Sequence, residues 1–275
     1  MKKSIYLSFL ALALSLSSAF AQHEPFLECH YTESYIDYPE KGKVKQDEMV
    51  LSISKGASEF YSLWCREHAR LRDSLTAKGA SLEEILAARD KVKYPVSTQH
   101  TVIYKNYPEK GRLTLTDQLI KSSFLYTEKM EIPQWEVFGE KKQIAGYDCQ
   151  KAETNFLGRK WTAWFAPDIP VEDGPWKLCG LPGLILQAED SEKEYRFACI
   201  EIKNVSDAPA IRLLKKNYIK CSKSEYLKSL FLHKEDMNTF LRKHGIEPPV
   251  EITSNGKAVS AFPKRKFNYI ERVTP

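Results

Sequence analysis

Gly174-Pro175-Trp176-Lys177-Leu178-Cys179-Gly180-Leu181-Pro182-Gly183-Leu184-Ile185 is the stretch from which the fold reads outward. Turn signals bracket it and an apolar strand follows. In Leu181-Pro182-Gly183-Leu184, proline presets φ at the second turn position and glycine accepts a positive φ at the third. This predicts a type II turn with Gly183 near φ of about +80°, feeding a strand over 184–188.

Strands flank the stretch on both sides. Residues 147–156 and 159–165 read as strands joined by a tight connection at Leu157-Gly158, and 194–202 as another. Further candidates are 101–107, 124–130 and 135–138. So many short strands with frequent turn signals predict an antiparallel meander. Near the N-terminus, 26–31 and 48–53 alternate and pair as a hairpin.

Two segments change period. Phe60, Trp64, His68, Leu71 and Leu75 recur at helical spacing. Ser81-Leu82-Glu83-Glu84 is a capping box, in which serine accepts from the amide three residues on and Glu84 reaches back. An inserted helical segment is expected over 60–93. Ser222-Lys223-Ser224-Glu225 is a second capping box, with C-terminal helices near 222–244 ended by Gly245 and Pro248-Pro249. The polar C-terminal stretch beyond them reads as a loose tail. The expected class is α+β, mainly β: a curved antiparallel sheet, a half-barrel-like meander, with helices on one side.

The N-terminus is an export signal. Lys2 and Lys3 precede an apolar run over 5–16, too short for a comfortable membrane span, and Ala19-Phe20-Ala21 is a small-x-small cleavage site. Cleavage removes 1–21 and leaves 22–275 as a single domain, with 206–275 as a helical appendage and tail. Losing Lys2 and Lys3 lowers the net charge from +5 to +3, which suits a soluble protein rather than a nucleic-acid binder. No later run is long enough for a transmembrane segment, so the expected location is periplasmic or secreted. In that oxidising compartment six cysteines (29, 65, 149, 179, 199 and 221) make disulfides expected. Cys149, Cys179 and Cys199 fall in the sheet block, which predicts a bridge from Cys149 to Cys179 or Cys199.

Three segments together resemble a known family. Gly146-Tyr147-Asp148-Cys149-Gln150-Lys151-Ala152 is similar to its GYxCxKA segment. Gly158-Arg159-Lys160-Trp161-Thr162-Ala163-Trp164-Phe165-Ala166-Pro167-Asp168-Ile169-Pro170 is similar to its GRxWxAW segment. Gly180-Leu181-Pro182-Gly183-Leu184-Ile185 is the name motif of the GLPGLI family, Porph_ging-type secreted proteins of Gram-negative bacteria whose biochemical role is unassigned. The resemblance implies export and a β-rich fold, and carries over no active site.

The chemistry of the motif block reads two ways. The glycines, tryptophans and Cys149 can specify a core. Alternatively Trp161, Trp164 and Trp176 line a groove beside the rigid Gly180–Gly183 turn, with Arg159 and Lys177 as polar handles. No G-x-S-x-G or S-x-x-K is present, so no nucleophile stands in a recognisable setting. No nucleotide loop occurs. Cys65 and His68 at i, i+3 are a weak metal hint, outweighed by His68 falling on the stripe of Phe60, Trp64 and Leu71. No metal site, cofactor or catalytic residue is assigned.

The residues describe a binding or carrier module of the cell envelope rather than an evident enzyme. Its ligand is apolar or peptide-like, or a partner protein. The alternative is a metal-binding or thiol-dependent periplasmic enzyme. Periplasmic lipoprotein carriers offer a comparison of architecture only.

Overall fold

The computed structural model describes residues 26–205, 210–255 and 257–272. The expected export signal over 1–21 lies outside them. β1 (Phe26–Tyr35), β2 (Lys45–Ser54) and β3 (Ala57–Ser62) open a meander. α1 (Leu63–Ala77) and α2 (Leu82–Arg89) interrupt it, and β4 (Val102–Lys105), β5 (Arg112–Leu119) and β6 (Ser122–Lys129) continue it. A second meander runs through β7 (Glu136–Ile144), β8 (Tyr147–Phe156), β9 (Arg159–Ala166), β10 (Leu184–Asp190) and β11 (Tyr195–Val205). Then come β12 (Tyr218–Lys220), α3 (Lys223–Glu235), α4 (Met237–Lys243) and a small hairpin, β13 (Val250–Ile252) with β14 (Ala258–Ser260).

β1 joins the two meanders, pairing with β2 on one side and β11 on the other. The result is one 12-stranded sheet in the order β12-β6-β5-β4-β3-β2-β1-β11-β10-β9-β8-β7. The pairings are antiparallel except β12 with β6. The sheet is curved, and β7 and β12 stay apart as its two edges, so the barrel is left open. Alternate residues of each strand face inward. The row Tyr126, Leu115, Ile103, Phe60, Leu51 and Cys29 crosses six neighbouring strands, and all six are buried.

Local chemistry explains the element ends. Ser62 caps α1 by accepting from the Cys65 amide, and Ser81 and Ser222 form complete capping boxes with Glu84 and Glu225. Leu157 and Gly158 both take positive φ (49° and 82°), as a two-residue hairpin turn with the strand twist requires. Phe60 departs from the expected helical stripe. It sits on β3 opposite Leu51 and Ile103, because the helix starts only after the Ser62 cap.

The expected Cys149 bridge is corrected: all six cysteines are free thiols. β9 and β10 lie between Cys149 on β8 and Cys199 on β11. Three strand steps put the two roughly 14 Å apart, and a bridge needs Cα atoms within about 7 Å. Cys179 lies in the β9–β10 connection, where its carbonyl accepts from Trp135 Nε1 at 2.8 Å.

The motif turn also differs from expectation. The Gly183 amide donates to the Leu181 carbonyl at 2.8 Å, a tighter loop than a type II turn, and Gly183 has φ of 155°. Its backbone presses against the end of β9. A Cβ built there would lie 2.7 Å from the Ala166 carbonyl carbon and nearer still to its oxygen. Glycine is present because two backbones meet.

The loop ahead of that turn plugs the open barrel. Trp176, Lys177, Leu178 and Leu181 are buried in it. The buried Lys105 of β4 donates to the Gly174 carbonyl at 2.6 Å and pairs with Asp173. Tyr31 of β1 donates to the Ile185 carbonyl at 2.8 Å.

The C-terminal segment is tied down from Asn268 to Arg272. Asn268 is buried, its amide donates to the Asp37 carbonyl at 2.8 Å and its side chain to the Ile36 carbonyl at 2.8 Å. The Arg272 amide donates to the Leu157 carbonyl at 2.9 Å. Its partners lie more than a hundred residues away in sequence, so local polarity gives no sign of them.

Candidate functional site

A cavity of about 370 Å³ lies between the inner face of the sheet, α3 and the C-terminal segment. Met49, Phe60, Ile103, Leu115, Tyr126 and Phe197 form its sheet wall. Tyr226, Leu227, Leu230 and His233 cover it from α3, and Phe267, Tyr269 and Ile270 from the C-terminal segment. The sheet supplies apolar groups because inward positions alternate with outward ones. α3 supplies its face because Ser222 and Glu225 fix where the helix begins.

Polar groups interrupt this lining. Asp117 accepts from the Tyr226 hydroxyl at 2.8 Å, which pins α3 to β5. Lys177 donates to Glu271 at 2.7 Å and Glu128 at 3.0 Å, which pins the C-terminal segment to β6 through the motif loop. Glu33 is different. It is 4% exposed, and among the described residues its only hydrogen bond is a long one from Gln99 Nε2 at 3.5 Å. Directly opposite on β2 stands Asp47, 1% exposed, which accepts from Ser62 at 2.9 Å and from Ser97.

Burial, then the neighbouring Asp47 and Asp37, push the Glu33 carboxyl up to about 8. Burial pushes Asp47 up to about 6 against the pull of its serine hydrogen bonds. An acid whose pKa is raised by folding holds its proton in the native state after the unfolded chain has lost it. Stability then falls as pH rises through that window. Between about pH 5 and pH 8 the protein is expected to lose on the order of 2 kcal/mol or more on this account. Glu33→Gln should flatten the slope in urea melts; parallel slopes for parent and variant would refute the assignment.

The structure separates the residues singled out in the sequence. Trp161 is fully buried, its ring stacked 6.3 Å from Phe197 and tilted against Trp176 at 5.6 Å. Trp176 and Lys177 reach the cavity wall. Trp164 faces the other side of the sheet, with Lys142 Nζ 4.1 Å from its ring centre. Arg159 is 4% exposed and grips the C-terminal segment. Gly180, Leu181, Pro182, Gly183, Leu184 and Ile185 form the end of the plug and the start of β10.

Glu33 and Asp47 are absent from the sequence reading. One signal was available: Glu33 shares the inward phase of Cys29, Tyr31 and Tyr35 on β1, so it is a carboxylate in an apolar row.

Residues 158–187 match the Porph_ging family, described as a protein of unknown function. The chain carries the Porph_ging signature. The matched residues run from the β8–β9 turn through β9 and the plug into β10, so the Porph_ging segment is the part that fills the open barrel. No curated protein matches. Among solved structures, PNGF-II in space group P21 superposes with TM-score 0.50 at 15% identity, over 74% of this chain and 32% of that one. The chain thus spans about a third of that protein, and the likeness concerns the fold. PNGF-II in space group C2 gives TM-score 0.47 at the same identity and coverage. A LolA-superfamily protein from Nitrosomonas europaea gives 0.28 at 8% identity, over 68% of this chain and 89% of that one.

Among the described residues, no three His, Cys, Asp or Glu side chains converge on a point that could hold a metal ion. No helix among them is long and apolar enough to cross a membrane. Among the described residues one thiol–imidazole contact exists, Cys65 Sγ to His100 Nδ1 at 3.3 Å. Burial pushes Cys65 up to about 11 and lowers His100, which leaves a neutral pair rather than a thiolate.

Proposed function

We propose that the chain is an exported binding or carrier module of the cell envelope that holds an apolar ligand in the cavity under α3. Residues 22–275 would act as one unit after removal of 1–21. The observation that supports the reading is the cavity itself. About 370 Å³ of space with aliphatic and aromatic walls, interrupted by polar and charged groups such as Glu33, Asp117 and Lys177, is the ordinary construction of a small-molecule site. An apolar cavity of this kind gains from a ligand that replaces lost dispersion contacts. The sheet supplies a rigid wall, and α3 with the C-terminal segment supplies a cover attached by side-chain contacts.

Trp176 on the wall gives a direct readout. Decanol is expected to change tryptophan fluorescence saturably and to raise the melting temperature. Leu230→Trp places a large ring into the cavity from half-buried α3 and should abolish binding while the fold persists. Failure of decanol to bind, or equal binding by Leu230→Trp, would overturn the reading.

A further inference from the structure

One group in the cavity does nothing for the fold. Lys177, Glu271, Asp117 and Tyr226 tie elements together. Glu33 is more than nine-tenths buried, lines the cavity, and among the described residues its carboxyl has only the 3.5 Å contact with Gln99. A buried carboxyl without a good partner is costly, and leaving one in a core needs a reason.

The charged groups nearest to it are carboxylates. Asp47 faces it from β2 and Asp37 from the turn after β1, and both act on Glu33 in the same direction. Tyr195 from β11 and Tyr35 from its own strand add only phenols. Across the cavity, α3 presents His233, held neutral by burial, and Lys234, whose Nζ lies 4.9 Å from the Phe267 ring centre. His100 is likewise kept neutral by burial. Among the described residues no cation pairs with Glu33 itself, while Lys45 Nζ holds Asp37 at 2.5 Å. An anion would meet Asp47 as well as Glu33, and a purely apolar group would leave the carboxyl unsatisfied. A cation satisfies it.

We propose that the cavity takes an apolar ligand that ends in a protonated amine, with Glu33 as the counter-ion. This rests on the apolar-site reading above and adds its chemical class. The amine arrives as an ammonium. Glu33 passes its proton to solvent, and the carboxylate and ammonium form a buried ion pair, so one proton leaves for each ligand bound. Both a long-chain amine and the free N-terminus of an apolar peptide have this chemistry.

The test uses the full exported chain and calorimetry with decylamine, decanol and decanoate, and with trileucine amide bearing a free or an acetylated N-terminus. Decylamine or free trileucine amide is expected to bind at least about tenfold more tightly than its uncharged counterpart. Affinity should rise several-fold from about pH 6 to about pH 8, with proton release seen by repeating the titration in buffers of different ionisation heat. Tight binding by the peptide alone identifies a peptide source, and by decylamine alone a lipid-like one. Glu33→Gln should lose the amine preference and the pH dependence while keeping decanol affinity. If Glu33→Gln does not fold, proton release by the parent still decides. Amine binding no tighter than decanol, or without proton release, overturns the proposal and leaves the apolar site standing. Failure of decanol and amines alike removes both.

Discussion

Arg159→Met is expected to cost about 3–5 kcal/mol, the usual result of removing one partner from a buried ion pair. Arg159 Nη1 donates to Asp190 at 2.6 Å and Glu194 at 2.8 Å. Nη2 donates to Asn268 Oδ1 at 2.6 Å and the Tyr269 carbonyl at 2.7 Å, and Nε to the Ile270 carbonyl at 3.0 Å. Only a planar fork with several donors can hold two carboxylates and three positions of a distant segment together. Arg159→Lys should therefore lose most of the same stability. The side chains of Arg159 and Asp190 are each 1% exposed, so the variant leaves a buried carboxylate with two backbone donors from Glu194 and Tyr195. Urea melts measure the loss, and limited proteolysis should show earlier cleavage near 260–272. A melt within about 1 kcal/mol of the parent would mean that this pairing does not hold the segment.

Gly183→Ala is expected to cost more than about 2 kcal/mol, and Gly183→Asn no less than Gly183→Ala. The Asn variant separates two explanations. If glycine were needed only for a left-handed turn, asparagine would be the mildest replacement. Here a Cβ of any kind would lie 2.7 Å from the Ala166 carbonyl carbon and 3.0 Å from Pro167 Cα. Neither atom can rotate away, because Ala166 pairs with Leu184 at the start of the β9–β10 ladder. Denaturant melts of the Ala, Asn and Val variants check the order. A mild Asn variant would restore the turn explanation, and three parent-like melts would remove the close approach as a constraint.

The sequence was most legible where the determinants are local. Alternation gave the strands over 147–156 and 159–165, because β8 and β9 are joined by two residues and each face has one environment. The serine–glutamate boxes at 81–84 and 222–225 gave two helix starts, since the hydrogen bonds lie within four residues. β5 was missed although Leu113, Leu115, Asp117 and Leu119 alternate. Threonines between the leucines and an inward carboxylate blurred the contrast. Phe60 fell into a helical stripe because a strand flowing directly into a helix can mimic its spacing for one turn. The cysteine pairing failed for another reason: proximity in sequence says nothing about how many strands intervene. The candidate site was least legible. Trp176 and Lys177 were found through their motif. Glu33 reaches the same cavity from the other meander, and only the joining of the two meanders through β1 brings these residues to one cavity.

The open barrel has one more consequence, for how copies of the protein behave together. A sheet with two free ends exposes unpaired backbone donors and acceptors, a template on which another copy could add strand by strand. β12 offers three residues, of which Ile219 and Lys220 are exposed. β7 is longer, but its pairing with β8 shifts register between Val137 and Lys141, and Glu136, Glu140 and Lys141 are exposed along it. Brevity at one end, and a kink with charge of both signs at the other, disfavour such edge-to-edge addition to the unclosed barrel.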